Sequence, residues 1–351
     1  MKRLVLCCDG TWNKPDEEQE GRPIPTNVVK LAYRVAKRDA QGVPQITFYD
    51  QGVGTGNFID RITGGVLGKG LEGNILDAYR FLIANYELGD DIYLFGFSRG
   101  AFTARSIGGM IRKCGILRRG AIDRYREAKE LYHDLDGPES PKAVEFRKKY
   151  SVSPELPIPI KFIGVWDTVG SLGIPKSGGV SRKYEFHDTE LSGIVENAYH
   201  ALAIDEHRTP FTPTLWDYKP KPNQKVEQVW FCGAHSDVGG GYLENDASLI
   251  ALQWMLEKAS EAGLSLDAEA MTNYPIHPIT NGMLHDSKGL LYILQKSVDR
   301  VMGIAAGSQT TDPTQSVHSS VLERWDQDST YRPENLRKYL KAMNDPRGNR
   351  E

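Results

Sequence analysis

The feature of this sequence that most constrains its fold is the alternation of short apolar runs with longer segments of helical period. That alternation is typical of parallel strands joined by crossover helices. Most of the runs are apolar throughout, as is usual for strands that are covered on both faces. We therefore expect an α/β fold built as one doubly wound, mostly parallel sheet. The predicted strands are Arg3–Cys8, Gln45–Asp50, Asp91–Phe97, Ile160–Asp167 and Gln228–Ala234.

The segments between these runs place apolar residues at helical spacing. Thr26 is suited to cap a helix in which Val28, Leu31, Ala32 and Val35 share one face. Each helix would cover one face of the sheet. Further helices are predicted near Asn74–Tyr86, Gly100–Lys113, Leu191–Ile204 and Asp246–Ser260.

Two stretches interrupt this rhythm within what we interpret as a single domain over residues 1–340. Residues 114–159 are polar and charged with helical patches, and we interpret them as a helical cap inserted into the fold. Residues 52–73 combine many glycines with apolar side chains, as a lid over a binding pocket does. The last segment, residues 341–351, is polar and is expected to fray.

Composition excludes several classes of protein. With 40% hydrophobic and 25% charged residues, the chain can bury a large core and is not of the disordered type. A formal charge of −3 gives no global field that would attract a polyanion, so no nucleic-acid partner is expected. Four cysteines in 351 residues do not make a disulfide framework. We expect buried free thiols in a reducing compartment.

The hydropathy of the chain predicts no membrane-inserted segment. Near the N-terminus only Leu4–Cys8 is apolar before Asp9, which is shorter than the roughly 7–15 residues of a signal-peptide core. No apolar run reaches about 18 residues, so no transmembrane helix is predicted. We expect a product made in the cytoplasm, whose contact with a membrane is peripheral.

The strongest chemical signal is a Gly-x-Ser-x-Gly pattern from Gly96 to Gly100, with a predicted strand before it and a predicted helix after it. In that context Ser98 lies on a tight, strained turn, where side chains at either glycine position would collide with neighbouring backbone. The turn lifts the hydroxyl above the sheet edge, beside a helix N-terminus that supplies positive potential and a free N–H. Ser98 is therefore predicted to be a nucleophile.

A serine nucleophile of this type needs backbone N–H groups that bind the oxyanion. One is the amide of Arg99, which follows the nucleophile, and the second comes from the loop after a neighbouring strand. The loop after the first strand fits that place and offers the amides of Gly10 and Thr11. The side chain of Asp9, which precedes them, is equally well explained as a cap of this turn.

A serine hydroxyl also needs a base and an orienting acid, which in this fold follow it in the order Ser, acid, His. Two pairs obey that order. Asp237 with His318 is favoured, because the acid usually follows the second strand after the nucleophile. Asp167 with His235 is the alternative. If the first pair acts, the second would support the site or fasten loops.

Other kinds of site are compatible with parts of the sequence. Asp9, His235, Asp237 and His318 carry side chains that suit zinc or manganese in a metal-dependent hydrolase, although nothing in their spacing requires a metal. The glycine pattern at residues 68–73 matches a dinucleotide fingerprint, but no convincing strand precedes it. A binding module that kept the fold without turnover is a third reading. We expect no cofactor and no metal.

Five ordered motifs resemble an α/β-hydrolase family that includes the type VI secretion phospholipase effectors of the first lipase-effector class. The motifs are Asp9–Asn13, Tyr49–Gly56, Gly96–Gly100, Val165–Val169 and His235–Gly241.

The resemblance covers about residues 2–333 and implies an α/β-hydrolase fold with Ser98 as the nucleophile of an esterase or lipase. In the effector branch it implies phospholipid acyl esters as substrates and export by a system that uses no signal peptide. Those effectors carry additional membrane-docking modules, whereas this chain is close to the hydrolase core, so a housekeeping esterase fits its size equally well.

Overall fold

A computed structural model of the chain shows the fold, and it describes residues 1–10, 16–52, 65–170, 191–217, 221–287, 297–304 and 311–349. The strands of these residues, in chain order, are β1 (Arg3–Cys8), β2 (Glu18–Gln19), β3 (Arg22–Pro23), β4 (Gln45–Asp50), β5 (Asp91–Phe97), β6 (Ile160–Trp166), β7 (Val195–Ala203), β8 (Lys225–Phe231) and β9 (Gln315–Val317).

The helices surround these strands, and short 3-10 turns lie at Arg119–Arg124, Thr209–Phe211 and Pro346–Asn349. The helices are α1 (Asn27–Ala32), α2 (Gly65–Asn85), α3 (Arg99–Cys114), α4 (Tyr125–His133), α5 (Pro141–Tyr150), α6 (His235–Gly239), α7 (Asp246–Glu261), α8 (Ala268–Asn273), α9 (Ser319–Gln327) and α10 (Glu334–Ala342). Among the described residues, none of these helices has both the length and the apolar character needed to cross a bilayer.

The central sheet has the strand order β4-β1-β5-β6-β7-β8-β9, and all of its pairings are parallel. The short strands β2 and β3 form a separate antiparallel hairpin. After β1 the chain builds outward to β4, then returns to the other side of β1 and builds outward again from β5. The order therefore reverses between β1 and β5, and in open α/β sheets ligands bind outside the carboxyl ends of the strands at such a point. The predicted α/β fold with a parallel sheet is confirmed.

Both faces of the sheet are covered, as the apolar runs predicted. Leu4 and Leu6 of β1 pack into a core with side chains of α2 and α3, among them Ile107. Val5 and Cys7 point the other way, into a core shared with α1 and α7. Because successive residues of a strand face opposite sides, one apolar strand contributes to both layers. The chain is therefore doubly wound.

The segment predicted as a helix at 191–204 is a strand, and this prediction was wrong. Its sequence is rich in alanine, which favours helix, but β7 lies between β6 and β8 with its second half fully buried. Sheet pairing on both edges overrides the local helix preference here. The error matters for the site, because it removes one strand from the count that selects the acid.

The two stretches outside the repeating pattern and the tail were also given predictions. In the expected cap, helices α4 and α5 form as predicted. Of the expected lid, residues 53–64 lie outside the described residues, and residues 65–73 begin α2, so the glycine pattern at 68–73 lies inside a helix. The tail does not fray at residue 341. The Asp345 N–H donates to the Leu340 carbonyl at 2.9 Å, and a 3-10 turn follows.

Candidate active site

Ser98 lies on a sharp turn between β5 and α3. Its backbone has φ 57° and ψ −121°, which is a strained conformation for a residue with a side chain. A Cβ atom added at Gly96 would lie 2.4 Å from the Gly100 carbonyl oxygen, and one at Gly100 would lie 2.1 Å from the Cys8 carbonyl oxygen. Both glycines are therefore sterically required, as the sequence predicted.

The close approach at Gly100 also places the loop after β1 beside this turn. The Asp9 carboxylate fastens that loop, because it accepts hydrogen bonds from the Thr26 hydroxyl at 2.7 Å and the Tyr49 hydroxyl at 2.8 Å. The Gly10 N–H donates to the same carboxylate at 2.7 Å. Of the amides predicted to bind an oxyanion, that of Gly10 thus has a partner in this structure, and Thr11 lies outside the described residues.

The N-terminus of α3 provides the other predicted oxyanion group. The first backbone hydrogen bond of this helix runs from the Phe102 N–H to the Ser98 carbonyl at 3.3 Å. The N–H groups of the first turn, beginning with Arg99, therefore point out of the helix end rather than into it. The positive end of the helix dipole lies at the same place.

Next to this turn, His235 and Asp167 form a buried pair, with 2.6 Å between His235 Nδ1 and Asp167 Oδ2. Asp167 directly follows β6, the strand beside β5, and its backbone has φ 40°. His235 is the first residue of α6, which follows β8. The Ser98 N–H donates to the Trp166 carbonyl at 3.0 Å, so the acid is one residue beyond the group that holds the turn.

Arg300 completes the surroundings of the Asp167 carboxylate. Its Nη1 lies 2.6 Å from Oδ1 and its Nη2 lies 3.0 Å from Oδ2, and the Ala203 N–H donates to Oδ1 at 3.1 Å. Burial alone would raise the pKa of Asp167, but the Arg300 charge and the hydrogen bond from His235 outweigh it and hold this pKa well below its ordinary range. The ionised form of Asp167 is therefore favoured in the folded chain.

Two aromatic rings fix the imidazole of His235. The ring of Phe97, the residue before Ser98, lies 4.6 Å from it between centroids, and the ring of Phe211 meets it edge-on at 4.9 Å. The backbone N–H of His235 donates to the Glu206 carboxylate at 3.3 Å. With Nδ1 on Asp167, the other ring nitrogen, Nε2, is the one that can exchange a proton with substrate or nucleophile.

Asp237 pairs with a different histidine from the one that the sequence favoured. Its Oδ1 lies 2.6 Å from Nδ1 of His285, and its Oδ2 accepts the backbone N–H groups of Ala234 at 2.9 Å and of His285 at 3.0 Å. The His285 ring stacks on Tyr242 with centroids 3.9 Å apart. These contacts join the loop that carries His285 to α6.

His318 begins α9 and serves as its cap. Its Nδ1 accepts the Ser320 N–H at 3.3 Å and lies 2.8 Å from the Ser320 hydroxyl, and its ring stacks on Phe231 at 4.8 Å. Burial lowers the pKa of His318. This residue follows β9, four strands from β5, which at roughly 4.8 Å per strand is about 19 Å. The described contacts therefore do not pair Asp237 with His318.

The same contacts separate the residues that were considered as metal ligands. Asp9 binds Thr26 and Tyr49, and His235, Asp237 and His318 each bind a different partner. Across the described ranges, no three His, Cys, Asp or Glu side chains are arranged to share an ion. The four side chains do not form one ligand set.

A cavity of about 520 Å³ lies on the α3 side of the sheet. Phe102, one helical turn after Ser98, is in its wall. Leu71 and Glu72, from the segment predicted to be a lid over a binding pocket, are also in its wall. The wall is mixed in character, with apolar Ile75, Ile163 and Trp216 and cationic Arg112, Lys113 and Lys221.

Three residues of the site have no motif that would reveal them in a single sequence: Arg300, Phe211 and Glu206. Arg300 and Phe211 lie between regular elements or in a short turn, where periodicity carries no information. Glu206 follows β7 closely, so recognition of that strand would have placed it at the carboxyl edge of the sheet. The signal for it was therefore present but masked by the helix prediction.

A parallel sheet with this strand order and a strained serine turn between β5 and α3 are the architecture of the α/β-hydrolase fold. A model of the catalytic domain of Tle1-like phospholipase effectors of the type VI secretion system matches residues 2–258. The chain belongs to that family.

Individual relatives are more distant. An uncharacterized protein of Saccharomyces cerevisiae, YEL023C, is 32% identical over 259 residues, which cover 67% of this chain and 36% of the yeast protein. This chain thus spans little more than a third of that relative's length.

Two solved structures are also similar, each over 79% of this chain. One is an uncharacterized protein from Pseudomonas aeruginosa, with 18% identity, a TM-score of 0.49 and 49% of its chain covered. The other is the Tle1 effector bound to the VgrG spike of the type VI secretion system, with 16% identity, a TM-score of 0.47 and 76% of its chain covered.

Proposed function

We propose that this protein is a serine-dependent hydrolase that cleaves acyl esters, with phospholipids as the substrate class and Ser98, His235 and Asp167 as its triad. The observation that carries the proposal is the buried His235–Asp167 pair, 2.6 Å apart, beside the strained turn of Ser98. The family match supports the phospholipid substrate, and its span includes all three residues. Asp237 is assigned to holding the His285 loop, and His318 to capping α9.

The proposed reaction begins when His235 Nε2 takes the Ser98 hydroxyl proton as Oγ attacks the ester carbonyl. The oxyanion that forms accepts a hydrogen bond from the Arg99 N–H at the helix N-terminus. The imidazolium then gives its proton to the leaving alkoxide, and the acyl group stays on Ser98. Water, deprotonated by the same imidazole, hydrolyses this acyl-enzyme and restores the serine.

Asp167 has two tasks in this scheme. Its hydrogen bond to Nδ1 keeps the imidazole in the tautomer that leaves Nε2 as an acceptor, and its negative charge stabilises the imidazolium that forms in the reaction. Because the pKa of Asp167 lies well below its ordinary range, the acid does not titrate in the working range.

The 520 Å³ cavity is proposed to hold an acyl chain. Its volume lies in the range of small-molecule pockets, about 300–1,000 Å³, and the apolar side chains of Leu71, Ile75 and Phe102 suit a hydrocarbon.

The direct test is Ser98→Ala, measured as fatty-acid release from phosphatidylglycerol–phosphatidylethanolamine vesicles. Loss of the nucleophile should lower turnover by about 10⁶ and abolish labelling by an alkyl fluorophosphonate. The matched control is Ser248→Ala in α7. This change removes a hydroxyl that donates to the carbonyl of Asn245, the residue that precedes the helix. Undiminished hydrolysis by Ser98→Ala would end the proposal. Activity that is lost to a chelator, without labelling by the phosphonate, would favour metal chemistry instead.

The acyl site has its own test in Gly109→Leu. Gly109 is exposed in the cavity wall, and a Cβ added there has only Tyr132 within 4 Å, at 3.9 Å, so leucine would fill space in the cavity. Esters of long acyl chains should lose about tenfold in kcat/KM while acetyl esters are unaffected. Gly73→Leu is the control, since it makes the same helix substitution in α2 and its Cβ meets nothing within 4 Å. An equal loss of kcat/KM on short and long esters would show that the acyl chain does not bind in this cavity.

A further inference from the structure

We propose that Arg300 is a positioning residue of the triad, whose guanidinium fixes both the Asp167 carboxylate and the Phe211 backbone and thereby sets the orientation of His235. This inference rests on the proposed hydrolase function. It adds a fourth member, from a loop 133 residues beyond Asp167 in the chain.

The contact between Arg300 and Asp167 is bidentate and dry. The two nitrogens Nη1 and Nη2 each meet one carboxylate oxygen, at 2.6 and 3.0 Å, and the exposed fractions of the two side chains are 3% and 0%. The planar fork of a guanidinium matches a carboxylate in this way, which an ammonium group does not. The carboxylate therefore cannot rotate about its Cβ–Cγ bond without breaking two charged hydrogen bonds.

The same guanidinium holds two backbone carbonyls. Nη1 donates to Ala203 at 2.8 Å, at the end of β7, and Nη2 donates to Phe211 at 2.6 Å. Phe211 is the residue whose ring meets His235 edge-on. One side chain thus ties together the acid that bonds the imidazole and the aromatic wall beside it.

This arrangement does more than neutralise a buried acid. Without Arg300, the Asp167 carboxylate would keep only one contact on each oxygen, to the Ala203 N–H and to His235. With Arg300 in place, Oδ1 accepts from Nη1 and the Ala203 N–H, and Oδ2 accepts from Nη2 while it faces His235 Nδ1, so the plane of the carboxylate is fixed relative to the imidazole. The orientation of the His235 imidazole therefore depends on the contacts that Arg300 makes with the Asp167 carboxylate.

Arg324 provides a matched comparison. It is also a buried arginine that donates to two backbone carbonyls, those of Thr280 and Gly282, at 3.1 and 2.8 Å. It does not touch Ser98, His235 or Asp167 in the described contacts. Its removal should cost folding stability as removal of Arg300 does, but without a specific effect on the reaction.

The experiment compares Arg300→Lys, Arg300→Met and Arg324→Met for kcat, KM and the pH dependence of kcat/KM on a short soluble acyl ester. For Arg300→Lys, kcat should fall about tenfold with KM unchanged, and for Arg300→Met about 10²-fold, because the base loses its alignment. The acid limb of the profile should move to higher pH in Arg300→Met, since a positive charge near the imidazolium is lost. Arg208, Glu206 and His200, the other charged or titratable groups at the pair, are unchanged in all three variants. Arg324→Met should keep the wild-type kcat and profile.

Ser98→Ala, run alongside, separates failure of this inference from failure of the function. If Ser98→Ala is inactive while Arg300→Lys and Arg300→Met keep the wild-type kcat and pH profile, Arg300 has no positioning role. If Ser98→Ala is fully active, the proposed function itself is wrong. If Arg300→Met does not fold by circular dichroism, Arg300→Lys decides: a lower kcat with wild-type KM and a native melting curve supports the inference, and a wild-type kcat overturns it.

Discussion

Among the described residues, Asp167–His235 and Asp237–His285 are aspartate–histidine pairs with the same hydrogen-bond length and different surroundings. In both, Nδ1 of the histidine lies 2.6 Å from a carboxylate oxygen, in Asp167–His235 and in Asp237–His285. The first pair is buried beside the strained serine and backed by an arginine. In the second, the His285 side chain is 20% exposed, stacks on Tyr242 and lies 3.6 Å from Glu244.

The difference between the pairs lies in what their carboxylates otherwise bind. Asp167 binds the Arg300 guanidinium and the Ala203 N–H at the edge of the sheet, which favours its ionised form and fixes it beside the Ser98 turn. The second carboxylate oxygen of Asp237 accepts hydrogen bonds from two backbone N–H groups, as is common for carboxylates that stabilise turns. A short contact between an acid and a histidine therefore does not by itself identify a catalytic pair; the groups behind the acid and in front of the imidazole do.

The largest expected effect separates the two histidines. His235→Ala should lower the rate of phosphonate labelling and of ester hydrolysis by about 10⁴–10⁶, because the base is lost. His285→Ala should stay within about tenfold of wild type, because it loosens only a loop contact, and its thermal midpoint should fall. A burst assay with a chromogenic ester measures acylation in both variants. The reverse pattern, a silent His235→Ala and an inactive His285→Ala, would move the triad to the second pair.

The acids should differ almost as much. Asp167→Asn is expected to cost about 10⁴ in kcat, because the amide favours the wrong imidazole tautomer. Asp237→Asn, by contrast, should retain most activity. Single-turnover hydrolysis of the same ester measures both, and similar losses in the two variants would contradict the assignment.

Asp167 should also make stability depend on pH in a defined direction. Its pKa is lower in the folded state than the value of about 3.9 in unfolded chains, so it stabilises the fold above about pH 4 and loses this contribution as the pH falls further. Urea unfolding of wild type and Asp167→Asn should therefore differ most near neutral pH, by about 3–5 kcal/mol, since the variant leaves Arg300 buried without its carboxylate. The difference should shrink below pH 4, and a difference that grows there would contradict the ion pair.

A smaller effect tests the aromatic packing of each histidine. Phe211→Leu keeps the backbone carbonyl that Arg300 binds but removes the ring that meets His235, so kcat should fall about tenfold, as expected for a modest loss of alignment. Tyr242→Leu removes the stack on His285 and should change stability by about 1 kcal/mol with little change in kcat. Stopped-flow acylation and thermal melts distinguish the two, and equal kinetic effects would mean that the first ring does not orient the base.

The sequence predicts the strained turn of Ser98 well and the side chains that surround it poorly, for a physical reason. Ser98 depends on five consecutive residues whose steric demands are local, and the glycine contacts that were expected at Gly96 and Gly100 are present. The strands β1, β4 and β5 were predicted residue for residue. For β1 and β5 the reason is that continuous apolar runs identify buried parallel strands, whereas β4 lies at the sheet edge and carries polar residues.

The acid and base depend instead on which strands are neighbours, which no local pattern encodes. With Leu191–Ile204 taken as a helix, β8 was counted as the second strand after β5, which pointed to Asp237. With β7 counted, the same rule points to the residues after β7, and Asp167 follows the first strand instead. The contact of Arg300 with Asp167 is harder still to predict from the sequence. Arg300 reaches the site from a loop without periodicity, and only the folded chain shows that it lies against Asp167.

The smallest expected effect concerns His318, which belongs to neither pair. As the cap of α9 it accepts the Ser320 N–H, so His318→Ala should cost about 0.5–2 kcal/mol and leave kcat unchanged. Asparagine caps helices well, so His318→Asn should return most of that stability, as measured by urea unfolding. A loss of kcat in both variants, comparable with that of His235→Ala, would mean that β9 and its histidine come much closer to β5 than four strand spacings. The comparison of the two pairs would then need a third candidate, and Asp237 would again be the acid to test.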